Sequence, residues 1–148
     1  MLRSLWWAKG PGEDEAYNGV PFIGRSGRML DSWIARAGLY RHRLWIDNVV
    51  RCWMNAGRDT TGNPTGNRAP HVAEINHCRT AHWASDLAAL SNLRVVVAIG
   101  VPAMQALIDR RANADWAGRV SKITVGDREV FAICTLHPAG VMRGAWGD

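Results

Sequence analysis

The chain has 148 residues, 47% of them hydrophobic, and its 18 Lys+Arg against 13 Asp+Glu leave a net charge of +5 and a pI near 9.7. That length suits one compact domain over residues 1–148, and the basic balance favours an anionic partner. No apolar run approaches the ~20 residues of a membrane-spanning helix, the Met1–Lys9 opening is too short for a secretory signal, and the three well-separated cysteines form no disulfide framework, so a cytoplasmic monomer away from membranes is expected.

Residues 2–8 read as a short buried strand running into Gly10-Pro11-Gly12, and residues 13–27 as a loop punctuated by Gly19, Pro21, Gly24 and Gly27. Met29, Leu30, Trp33, Ile34 and Ala37 keep one apolar face, which predicts a helix that Gly38 stops. Leu44–Val50 reads as a second strand with Asn48 near its carboxyl end. Residues 52–70 hold almost nothing apolar and read as a long surface loop. A second helix is predicted from about Pro70 to Leu90, followed by the β-branched run Arg94–Gly100, typical of a parallel strand buried on both sides. Pro102 opens a third helix to about Arg111, and Ile123–Gly126 with Glu129–Leu136 read as a hairpin around Gly126-Asp127.

Strands alternating with helices predict an α/β fold, a three-layer α/β/α sandwich around a short, mainly parallel sheet. Ligands gather at the carboxyl ends of the strands in such sheets, and three polar loops start there: after Lys9, at Asn48 and at His137. Of the 18 cations, 16 are Arg and only Lys9 and Lys122 are Lys. Planar guanidinium groups suit phosphate, but a GC-rich genome favours Arg equally, so the bias alone decides nothing. Eight Trp suit core or rim packing, with a few free to stack on bases.

The three loops carry a resemblance. Gly10-Pro11-Gly12-Glu13-Asp14-Glu15 followed by Gly19–Gly27, then Ile46-Asp47-Asn48-Val49-Val50-Arg51-Cys52, then Leu136-His137-Pro138-Ala139 with Arg143, resemble the uracil-DNA glycosylase superfamily, most closely its iron–sulfur family 4. Gly66–Pro70 and Cys78 fall where that family has such residues, and the likeness runs in order along nearly the whole chain. It implies a DNA glycosylase that extrudes a nucleotide and hydrolytically releases uracil or a modified pyrimidine, leaving an abasic site. By resemblance Phe22 is the stacking wall, Asn48 reads the base edge, and His137 donates to the base O2 as charge builds there. Glu15 matches a pocket carboxylate beside the C5 substituent, and Gly10, Pro11 and Gly12 let backbone approach base and sugar. Ser26, Arg68, Ala139, Met142 and Arg143 are the expected DNA contacts, with Met142 offering a wedge and Arg143 a phosphate contact.

Three departures stand against that likeness. Lys9 occupies a position where the family carries an acid, and four roles stay open for it: binding phosphate, meeting a polar substituent on an altered base, replacing a nonessential acid, or attacking the sugar carbon. Cys52 and Cys78 match only two of the four cluster ligands, and the segment holding the other two would precede the first strand; a chain short at its N-terminus, with no cluster and no other cofactor or metal, is expected. Cys134, in an apolar strand, reads as core. The 52–70 loop is longer than in typical members. Two alternatives therefore remain beside uracil release: a glycosylase for a decorated cytosine in viral DNA, and a module that binds an altered base without cutting. A zinc deaminase is disfavoured, since no His-x-Glu with a downstream Cys-x-x-Cys is present.

Overall fold

The computed structural model describes residues 4–144. In chain order the elements begin with β1 (Ser4–Ala8), α1 (Glu13–Asn18), α2 (Arg25–Arg36), β2 (Trp45–Asn48), β3 (Gly57–Arg58), β4 (Pro64–Thr65) and α3 (Val72–Cys78). They continue with α4 (Ala84–Ala89), β5 (Val95–Ile99), α5 (Val101–Leu107), β6 (Val120–Val125), β7 (Arg128–Thr135) and α6 (Pro138–Met142). Residues 2 and 3 of the predicted first strand lie outside the described residues.

Five strands form one sheet in the order β2-β1-β5-β7-β6, parallel except for β6, which pairs antiparallel with β7. Side-chain alternation along the strands builds a core on each face. Leu5 and Trp7 of β1 and Val96 and Ala98 of β5 pack with Cys78, Trp83 and Met104. Ala8, Val97 and Ile99 pack on the other face with Leu30 and Ile34 of α2. Helices therefore cover both faces, as the alternating pattern predicts. The chain leaves β1 toward β2 and returns to β5 on the other side of β1, so the strand order reverses between β1 and β5. That reversal opens a crevice at the strands' carboxyl ends.

The elements differ from the sequence reading in five places. The 13–27 stretch is not all loop: it holds α1 and the first turn of α2. Glu13, Asp14 and Glu15 favour the positive end of a helix, Glu15 reaches back to the Gly12 amide, and Gly19 closes α1 in the left-handed region at φ 67°. The predicted 70–90 helix is interrupted by a wider π turn at Arg79–Trp83. There Trp83 donates its indole N–H to the Val49 carbonyl at 3.1 Å and packs on Trp7, ring centroids 4.6 Å apart, while Arg79 donates to the Ala106 carbonyl. The 52–70 loop is mostly exposed but contains the hairpin β3–β4, closed by Asp59, whose Oδ1 accepts from the Thr61 and Asn63 amides at 2.9 Å each. Finally, α5 stops at Leu107 rather than Arg111, and β6 starts three residues before Ile123.

Candidate functional site

Each of the predicted loops leaves the carboxyl end of a parallel strand. Lys9 and Gly10 follow β1, Asn48 ends β2, and His137 follows β7. Ala8 pairs with Asn48 across β1 and β2, and the Val50 amide donates to the Lys9 carbonyl at 3.2 Å, so the first two loops leave the sheet together.

Glu15 ties the cluster. Its Oε1 accepts from the Phe22 amide at 3.0 Å and its Oε2 from the Gly12 amide at 3.4 Å. The Asn48 side chain stands close enough to the same carboxylate to pull its pKa down. Burial pushes the Glu15 carboxyl up from the ordinary range, against the pull of the Phe22 and Gly12 amides, Asn48 and Arg41. Asn48 is 7% exposed, and its Oδ1 is buried without a hydrogen-bond partner. When ionised, that carboxylate only accepts, which would turn the amide nitrogen of Asn48 toward Glu15 and leave its oxygen for something else. A buried carbonyl oxygen without a donor is costly in a folded protein, and such orphans mark places where a ligand completes the bonding.

Phe22 is held at φ 58°, a region strained for a bulky side chain, and the residue is 4% exposed. Gly27 makes this turn possible, because a Cβ there would lie 1.7 Å from the Phe22 carbonyl oxygen. The Phe22 and His137 rings face each other at 28°, with centroids 6.0 Å apart. His137 caps α6: its Nδ1 accepts from the Ala139 amide at 3.1 Å, which leaves Nε2 as the nitrogen that carries the proton and donates. Burial, then Lys9 and Arg143, pull the His137 pKa down to about 4, so the imidazole is neutral at pH 7. Gly100 makes room for it; a Cβ on Gly100 would sit 2.9 Å from the His137 Cβ.

Lys9 is half-buried, with Nζ donating to the Arg68 carbonyl at 3.4 Å. Burial and Arg143 lower its pKa, while Glu15 raises it. Phe22, Asn48, His137, Glu15 and Lys9 thus form one connected set. The expected DNA contacts are less uniform. Met142 and Arg143 are exposed at the end of α6, Ala139 lies in its first turn, and Ser26 lies in the first turn of α2. Arg68, by contrast, forks onto Glu74, with contacts of 2.9 and 2.6 Å.

A cleft of about 290 Å³ is lined by Glu15 and Asn48 of the set, with Pro11, Ala16, Val20 and Arg51 among others; Phe22, His137 and Lys9 are not in its lining. A larger cleft of about 730 Å³ lies on the face covered by α4 and α5, between Trp83 and the β6–β7 turn, and holds none of the predicted site residues. Sequence reasoning missed Gly27 and Gly100 as seats for Phe22 and His137. It also missed Trp53 and Asn67, which the β3–β4 hairpin brings to the edge of the site: the Trp53 indole donates to Asn67 Oδ1 at 2.8 Å. The glycines left a local signal, a Gly within a turn-rich stretch and a Gly ending a strand, and Asn67 lies within the Gly66–Pro70 stretch of the resemblance; Trp53 left none.

The described residues hold the two cysteines, Cys52 and Cys78, that match the cluster ligands of the resemblance. Cys52 is exposed, Cys78 and Cys134 are buried, and among the described residues no three His, Cys, Asp or Glu gather to hold a metal ion.

The family described as "Uracil DNA glycosylase superfamily" matches residues 3–146. A type-4 uracil-DNA glycosylase of Thermotoga maritima is 30% identical over 142 residues, which cover 95% of this chain and 67% of the relative. One of Pyrobaculum aerophilum is 31% identical over 92% of this chain and 65% of its own length, and one of Archaeoglobus fulgidus is 28% identical over 89% and 63%. The chain thus spans about two thirds of the length of these relatives. With the motifs in register and the match running almost end to end, the chain belongs to the uracil-DNA glycosylase superfamily.

Proposed function

We propose that the chain is a monofunctional DNA glycosylase that takes an extruded uracil into the site and releases it by hydrolysis, leaving an abasic site. The observation that carries this reading is the buried, unpartnered Oδ1 of Asn48 beside the Glu15 carboxylate. Uracil presents an N3–H donor beside an O4 acceptor. Oδ1 accepts from N3–H, and the second hydrogen of the amide nitrogen reaches O4. Cytosine presents the reverse order, and serving it would turn the amide oxygen onto the Glu15 carboxylate.

The remaining residues fit the same chemistry. Phe22 supplies the stacking face. As the C1′–N1 bond breaks, its electron pair passes to the base and negative charge grows on O2, where Nε2–H of the neutral His137 donates. Lys9 and Arg143, close enough to lower the His137 pKa, set a positive potential around that charge. Water adds its oxygen to the sugar carbon and its proton ends on the departed base. The exposure of Met142 and Arg143 at the end of α6 supports their reading as an apolar wedge and a phosphate contact.

The test is base release from a panel of oligonucleotides carrying uracil, thymine, cytosine and decorated cytosines. Uracil is expected to be released, with His137→Ala slowing release by about 10²–10³-fold, as loss of a transition-state donor does. Asn48→Ala is expected to abolish the preference for uracil over cytosine. Release confined to decorated cytosine, or binding without release of any base, overturns the reading in favour of one of the two alternatives.

A further inference from the structure

Beside the base site stands a feature that this reading leaves without a task. Tyr17, on α1, is 71% exposed, in a helix with no buried residue. Its ring lies 6.2 Å from that of Trp53, tilted by 58°. Trp53 is not loosely held. The Arg68 amide donates to the Met54 carbonyl and the Ala56 amide to the Thr65 carbonyl, both at 2.9 Å, so the β3–β4 ladder runs down to the residue next to Trp53. The indole N–H is taken by Asn67 at 2.8 Å, and the Asn67 amide sits 3.9 Å from where a Cβ on Gly12 would lie. Lys9 holds the same foot of the hairpin through the Arg68 carbonyl. Two aromatic rings thus lie side by side, Tyr17 exposed on the helix whose Glu15 and Ala16 line the smaller cleft and Trp53 held on a hairpin tied to the Lys9–Gly12 turn.

We propose that Tyr17 and Trp53 form a stacking platform for an unpaired nucleobase next to the extruded one, which makes single-stranded or locally opened DNA the preferred substrate. The proposal rests on the extruded-base reading above. With its N–H already committed to Asn67, the Trp53 ring has only apolar surface to offer, a contact every base can use through its π face. In a duplex the neighbouring base is already stacked and paired, and reaching the platform means breaking both contacts. In a single strand nothing competes. The Trp53 ring, held by Asn67 before the strand arrives, loses little freedom on binding, so its contact shows in affinity. The net charge of +5 supplies the attraction to the backbone that any strand needs.

The experiment measures binding of the full chain to short single-stranded oligonucleotides with one uracil, whose neighbour on the 5′ or the 3′ side is either a base or a stable abasic residue. Removing the neighbouring base on one side is expected to weaken binding by about 5- to 150-fold, the range for loss of one stacked base. Tyr17→Ala with Trp53→Ala is expected to weaken binding to the intact strand by a similar factor and to make the abasic neighbour neutral. Tyr17→Phe with Trp53→Phe is expected to keep most of the affinity, which separates stacking from a folding defect. Wild-type binding indifferent to both neighbours overturns the proposal, whether or not the alanine variant folds. So do losses from variant and abasic neighbour that simply multiply. Failure of the base-site reading looks different: strands with and without uracil then bind alike and no base is released.

Discussion

His137 sits where burial, Lys9 and Arg143 hold its imidazole neutral down to about pH 4, against an ordinary value of 6.5. Between those values the unfolded chain binds a proton that the folded chain refuses, so this group stabilises the fold fully above pH 6.5 and progressively less as pH falls towards 4. Glu15, with its carboxyl raised by burial, works in the opposite sense, favouring the fold most at acidic pH and less as pH rises through the carboxylate range. Following the His137 ring by NMR is expected to give a midpoint near 4, and Lys9→Met to raise it by removing one of the two cations; a midpoint of 6.5 would mean an open, unburied ring. The Glu15–Asn48 contact gives a second prediction. Glu15→Gln lets the Asn48 amide turn over, because a glutamine side chain both donates and accepts. Cytosine release relative to uracil is then expected to rise, measured on matched single-uracil and single-cytosine strands; an unchanged ratio would show that Glu15 does not hold the amide. Gly27→Ala places a methyl group 1.7 Å from the Phe22 carbonyl, so Phe22 must leave its position or the turn must open, and a large loss of thermal stability or of base release is expected.

At the scale of elements, Arg128 in β7 reaches across to donate to the Leu87 and Leu90 carbonyls, at 2.7 and 2.8 Å, and closes the carboxyl end of α4. Arg128→Ala is expected to cost about 1–2 kcal/mol of stability, for the removal of two partly exposed charge-assisted bonds, seen as a lower Tm with base release at low temperature intact. Strands buried on both faces were legible because burial writes itself as a β-branched run, as in Arg94–Gly100. α2 was legible from its apolar stripe. α1 was not, since six residues with none buried leave no periodicity; the Gly12…Glu15 spacing and three leading acids were the available clue. The π turn is set by what Trp83 and Arg79 reach on other elements, Val49 and Ala106, and no local pattern encodes that. The site followed the same division. Phe22, Asn48 and His137 stood out because their loops carry recognisable spacing, whereas the Tyr17–Trp53 pair exists only once a hairpin folds across a helix.

Over the whole molecule, the reversal of strand order between β1 and β5 explains why residues as distant as Lys9, Asn48 and His137 meet, and the excess of arginine sets how DNA would approach them. Only arginines without a partner in the fold are available to displace counterions from phosphate. Arg68 is forked onto Glu74, which it holds at a pKa of about 2, and Arg41 and Arg51 pair with Asp31 and Asp86, both at 2.6 Å. Arg143 is exposed at the end of α6, next to His137 in the electrostatics of the site. DNA affinity is therefore expected to fall linearly with salt on logarithmic axes, and the slope to depend on which arginine is removed. Arg143→Gln is expected to reduce the slope by about 1, as when one phosphate is left without its cation, and to weaken binding equally across sequences. Arg68→Gln, which removes a charge already neutralised within the fold, is expected to leave the slope where it was and to show itself instead in the stability of the β4–α3 connection. Equal slopes for the two variants would place the phosphate path away from α6. A reduced slope for Arg68→Gln alone would mean that DNA pulls Arg68 off Glu74 on binding.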